Sequence, residues 1–117
     1  MSENTTVINA SIDDVWSVLS DGWLYPLWVV GASRMRDVDP DWPAVGSRIH
    51  HSVGAWPALI HDHTRVLARQ PHESITLRAR AWPMGEAKVH ITVTPVDDRT
   101  EVTMVEDVVS GPGLLVP

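Results

Sequence analysis

Glu106, His51 and three further histidines are the side chains in this sequence best equipped to do chemistry. Glu106 has the parity of Val102, Met104 and Val108 in a stretch that alternates as a strand does, so its carboxyl is expected on an apolar face. A carboxyl so placed is held in its protonated form more readily and can act as acid or base. The plain alternative is a solvated group at a strand end, or one paired with Arg78 or Arg80. His50, His51, His61 and His63 lie on two segments joined by a short connection through Gly54-Ala55-Trp56-Pro57. A turn centred near Trp56 puts His51 opposite His61 and His50 opposite Asp62, whereas a slip of one residue puts His50 opposite His63. His51 shares the parity of Ile49 and Val53, which makes it the histidine expected to see a cavity, as a proton-transfer partner near neutral pH.

Imidazoles on adjacent strands, with the His61-Asp62-His63 spacing, also raise a metal reading, zinc or iron. The Glu that would complete such a set a few residues past His63 is missing: Val66, Leu67 and Ala68 stand there. No complete ligand set results, and neither a metal nor another cofactor is expected. No Ser-His-Asp spacing, nucleophile elbow or Gly-rich phosphate loop occurs. The chain has no cysteine, which removes disulfides, thiolate nucleophiles and Cys-ligated metals.

Composition bounds the remaining classes. At 117 residues, with 44% hydrophobic and 21% charged, the sequence fits one soluble globular domain spanning 1–117. A net charge of −6 argues against a nucleic-acid partner. The polar opening Ser2-Glu3-Asn4-Thr5-Thr6 does not read as a secretory signal, and no apolar run is long enough for membrane insertion, so a cytoplasmic location is expected. Six Trp and one Tyr with no Phe is an unusual aromatic set. An indole pairs a large apolar face with an N–H that wants a partner, which suits a partly wet cavity wall, although ordinary packing is the plain alternative. Trp28, Met35, Trp56, Trp82, Met84 and Met104 are accordingly candidate ligand-binding residues alongside His51 and Glu106.

The elements that must position these residues can be read in order. Val7-Ile8 ends a first strand. Ser11 is a favoured N-cap with Asp14 three residues on, and Ile12, Val15, Trp16 and Leu19 form an apolar stripe at helical period, with Gly22 as a stop. Asp21 to Gly31 reads as a second short helix or turn broken near Pro26. Strands are expected over Ala32–Val38, Ser47–Val53, Ala58–Leu67, Ser74–Ala81 and around Ala87–Val93 and Val102–Val108, with Asp39–Gly46, Gln70–Glu73, Trp82–Gly85 and Asp97–Arg99 as turns.

A strand, a helix, a short second helix and then six antiparallel strands resembles the SRPBCC superfamily: the START-like, polyketide cyclase and Bet v 1-like proteins. More narrowly it resembles the small actinobacterial members of unknown ligand. The resemblance covers Thr6 to Pro117 and is carried by Ala10-Ser11, Val15-Trp16, Leu19, Trp28, the Pro40-Trp42-Pro43-Gly46 loop and Gly111-Pro112-Gly113. It implies a helix-grip α+β fold, a curved antiparallel sheet of about seven strands with two short helices after the first strand. It also implies a long C-terminal helix across the sheet, and the sequence stops where that helix would begin. Without cover, Ile75, Leu77, Val89, Ile91, Val102 and Met104 would form an exposed apolar patch. The expectation is that the helix lies in a further stretch of the protein; the alternative is a partner on that face, such as a second copy in a homodimer.

The function implied is binding of a hydrophobic small molecule (lipid-like, polyketide or aromatic) in an internal cavity, as carrier or sensor. An enzyme of the polyketide cyclase or dehydratase kind, using Glu106 and His51 for proton transfer, is the second reading, and a His-metal protein the third.

Overall fold

The computed structural model describes residues 2–21, 32–53, 60–81 and 85–110. Their elements are β1 (Ser2–Ile8), α1 (Ile12–Leu19), β2 (Ala32–Val38), β3 (Arg48–Val53), β4 (Ile60–Gln70), β5 (Ser74–Ala81), β6 (Gly85–Val96) and β7 (Arg99–Ser110). They form one seven-stranded sheet in the order β1-β7-β6-β5-β4-β3-β2. Every neighbouring pair is antiparallel, so the chain meanders from β2 to β7 and β1 pairs with the far side of β7.

The seven expected strands are all present, and two of them, β2 and β5, have the expected limits. β4, β6 and β7 run longer than the apolar alternation reaches, because ladder hydrogen bonds continue through polar residues such as Arg69 and Gln70. Residues 22–31, where a second helix was expected, and residues 111–117 lie outside the described residues.

α1 forms as its residues dictate. Ser11 Oγ accepts from the Asp14 backbone N–H at 3.2 Å, and Asp13 and Asp14 occupy the first turn, where acidic side chains suit the positive end of the helix. Val15, Trp16 and Leu19 are buried against Val66, Ile75, Leu77, Val89, Ile91 and Val93, with Ile12, Val102 and Met104 packed alongside. The patch predicted to lie exposed is therefore largely covered: Ile75, Leu77, Val89 and Ile91 are buried in the cluster that includes α1.

Two contacts fix α1 over the sheet, and a loop beside it is pinned to the same sheet. Thr100 Oγ1, itself fully buried, donates to the Ala10 carbonyl at 2.8 Å and ties the β1–α1 link to the start of β7. His72 in the β4–β5 turn, at φ 62°, lies 5.8 Å from the Trp16 ring and 3.2 Å from Asp13 Oδ1. At the other end of α1 the Asp39–Ser47 loop is pinned to β4, with Gly46 N–H donating to the Val66 carbonyl and Val66 N–H to the Ser47 carbonyl. Gly46 makes that turn at φ 89°, where an L side chain would be strained.

Candidate functional site

Strand register gives the sheet two distinct faces. Ile75 opposes Ile91, Leu77 opposes Val89, Ile91 opposes Met104 and Val93 opposes Val102, so these residues share the inner face, toward α1. The α1 stripe does not fill all the space above β6 and β7. Between them lies an apolar cavity of about 370 Å³ lined by Ile8, Ala10, Asp14, Val15, Val18, Leu19, Ile91, Val102 and Met104. That size is within the range of small-molecule sites, and Asp14 is the one charged residue among the described lining residues. The apolar alternation of β6 and β7 and the helical stripe pointed to Val15, Leu19, Ile91, Val102 and Met104. Ile8 and Val18 fall outside both patterns. They remain 40% and 38% exposed and form the cavity edge, which is why periodicity does not reveal them.

Met104 is thus the predicted ligand residue that lines this cavity. Glu106 follows it on the same face of β7, opposite Val89 and Ser2 in register, and its side chain is exposed. Nearness to apolar neighbours does not bury it, because it lies toward the end of β7 beyond the reach of α1. His51 is buried at 2% exposure on β3, where Nε2 lies 2.8 Å from Thr64 Oγ1. β7 and β3 are separated by β6, β5 and β4, so Glu106 and His51 stand four strands apart in the sheet. The sheet does not bring these two together around one bond, and His51 does not line the apolar cavity. Met35 pairs with His51 across β2 and β3. Trp28, Trp56, Trp82 and Met84 lie outside the described residues.

The histidines adopt the alternative register: His50 opposes His63, His51 opposes Asp62 and Ser52 opposes His61. His50 and His63 therefore share the outer face, with ring centroids 6.5 Å apart, while His51 points to the inner one. His50 Nε2 lies 3.3 Å from Asp39 Oδ1, and His63 Nδ1 lies 3.3 Å from Asp62 Oδ1. Desolvation holds the His63 pKa below its ordinary 6.5, outweighing the attraction of Asp62. The Arg48 backbone N–H, donating to Asp39 Oδ2 at 2.9 Å, is the main cause that holds the Asp39 carboxyl below its usual 3.8. Among the described residues, no group of three or more His, Asp or Glu side chains could hold a metal ion.

A second cavity, of about 490 Å³, lies between the end of α1 and the loop after β2 and is lined by Ser17, Ser20, Asp21, Val38, Asp39, Pro40 and Trp42. Four of those seven residues are polar, and none of the predicted ligand residues borders it. Among the described residues, no helix is long and apolar enough to cross a membrane.

The chain resembles solved proteins of one architecture. A protein from Arthrobacter aurescens superposes with a TM-score of 0.72 at 14% identity, over 92% of this chain and 68% of that one. The aromatase/cyclase ZhuI from a Streptomyces species gives a TM-score of 0.68 at 21% identity, over 92% of this chain and 66% of that one. The di-domain aromatase/cyclase StfQ of the steffimycin biosynthetic pathway gives 0.68 at 14% identity, over 97% of this chain and 38% of that one. At such identities the likeness is one of fold, and this chain spans about two thirds or less of these two cyclases. No curated protein matches the chain. The family described as polyketide cyclase / dehydrase and lipid transport matches residues 2–116. With nearly every residue inside that match, and a curved antiparallel sheet gripping α1, the chain belongs to this family of the SRPBCC superfamily.

Proposed function

We propose that this protein binds a hydrophobic small molecule in the cavity between α1 and strands β6 and β7, as a carrier or sensor. The observation that carries the reading is the cavity itself: apolar on all sides but for Asp14, and open at the edge formed by Ile8 and Val18. Buried apolar contact is the main source of affinity for such ligands, and a preformed space avoids the cost of opening one.

Two measurements test it. Native mass spectrometry of the protein as expressed should reveal a co-purified apolar molecule, and 1-anilinonaphthalene-8-sulfonate should bind with a fluorescence gain. Met104→Trp fills the cavity and removes roughly 60 Å² of apolar ligand contact, worth about 1.5 kcal/mol or tenfold in affinity. Equal affinity of Met104→Trp and the parent protein would show that the dye sits elsewhere.

A second reading is enzymatic, favoured by Glu106 following Met104 on the same face of β7 and by the two aromatase/cyclases of like fold. Glu106 would take a proton from a bound ring precursor that reaches past Met104, while His51, buried against Thr64, holds β3 to β4 rather than meeting that ligand. Glu106→Gln should then abolish aromatisation of a poly-β-ketone mimic while dye affinity stays unchanged. A Gln variant with full turnover rejects this role.

A further inference from the structure

The face of the sheet turned away from α1 carries a feature that the cavity does not explain. Arg48 of β3 opposes Arg65 of β4, Arg65 opposes Arg78 of β5, and Arg78 opposes Lys88 of β6. The register therefore sets four basic residues in a single row across four adjacent strands, in a chain whose net charge is −6. Like charges directly opposite on neighbouring strands are destabilising, so the row costs folding free energy three times over. Arg78 is relieved by Glu86, whose Oε2 accepts from its Nε at 2.9 Å. Arg48, Arg65 and Lys88 are exposed, with Asp39 beside Arg48 and Asp107 opposite Lys88 at the two ends of the row.

We propose that this row is a docking surface for an acidic amphipathic helix of a partner protein. Spacing selects the partner. Neighbouring strands stand about 4.8 Å apart, and carboxylates three or four residues apart on one stripe of an α-helix recur every 4.5 to 6 Å, roughly. A helix laid across the strands thus presents one carboxylate to each basic side chain, at positions i, i+4, i+7 and i+11. The same face argues against other polyanions. Glu86 and Asp107, the register neighbours of Arg80 and Lys88, would repel an anionic bilayer, whereas an ordered helix can leave its uncharged positions over them. Among its described residues the face has no Trp or Tyr on which nucleic-acid bases could stack. The site is independent of the cavity, because it lies on the opposite side of the sheet.

The test uses the whole chain and a fluorescein-labelled, alanine-rich helical peptide of about 18 residues with four glutamates on one stripe. A peptide of the same composition with its glutamates spread around the helix is the control. The striped peptide should bind, with affinity falling steeply as salt is added, and Arg65→Glu or Arg48→Glu should weaken it about tenfold. Arg69→Glu, off the row but equal in charge change, should alter it less than about twofold. Each row variant replaces a like pair by an opposite pair across strands, so its melting temperature should hold or rise, which separates lost docking from lost folding. Equal binding of the two peptides overturns the proposal. So does capture by phosphatidylserine vesicles with no peptide binding, equal damage from Arg69→Glu, or no binding of the striped peptide at low salt.

Discussion

Asp14 does two things at the residue scale. Its backbone N–H donates to Ser11 Oγ at 3.2 Å, and its exposed side chain borders the cavity without adding polar surface to it. The lining is thus apolar throughout, and among ligands of equal chain length the uncharged one loses least on leaving water. Dodecanol should therefore bind tighter than either dodecanoate or dodecylammonium by isothermal titration. Asp14→Asn should leave all three affinities within about twofold of the parent protein. If Asp14→Asn shifts dodecylammonium alone, the carboxylate does meet the ligand's head group. The parity of Glu106 was legible from the sequence; its exposure was not, because burial depends on how far α1 extends over β7. Asp14 reads as a capping residue, and nothing in its spacing hints that it also borders a cavity.

At the scale of elements, α1 is the part that makes the site. It is an eight-residue helix, too short to hold itself together in water, so its cap and its packed face must both be intact. Ser11→Ala removes the acceptor for Asp14 N–H and should lower unfolding free energy by about 1 kcal/mol in urea titrations. Leu19→Ala, at 7% exposure, empties part of the cluster under the helix and should cost about 2–5 kcal/mol. The two should also differ in binding: Leu19 lines the cavity and Ser11 does not, so only Leu19→Ala should change dye affinity once both are folded. This helix was legible because cap, stripe and acidic first turn agree. The pairing of β3 with β4 was not. β4 sets Thr64 and Val66 on one side and His63, Arg65 and Leu67 on the other, so neither side is cleanly apolar and the alternation cannot choose between registers one residue apart. The choice decides which histidines meet, and hence whether a metal set can form.

Taken whole, the molecule is a sheet with a hydrophobic side that grips α1 and a basic, histidine-bearing side opposite. The inner side was legible from alternation alone, whereas the basic row exists only once four strands are in register, because its members are up to 40 positions apart in sequence. The outer side also links pH to stability. Burial lowers the His63 pKa in the folded protein, with Asp62 opposing and Arg48, Arg80 and His50 assisting. The unfolded chain then takes up a proton more readily than the folded one below about pH 6.5. The contribution of His63 to stability is therefore complete above that pH and is lost as pH falls from there through its folded value. Asp39, lowered mainly by the Arg48 amide, acts in the same sense at lower pH: its contribution holds above 3.8 and is lost as pH falls through its folded value. The urea midpoint should fall between pH 7.5 and 5.5, with His63→Gln flattening that part of the profile and leaving the acid limb in place. Protonated His63 adds positive charge beside the row, since His63 precedes Arg65 by two positions on β4. The same fall in pH that weakens the fold should thus tighten the striped acidic peptide, and His63→Gln should reduce both effects together, with His50 on the same face left in place. A variant that loses one and keeps the other would separate the stability of this face from its charge.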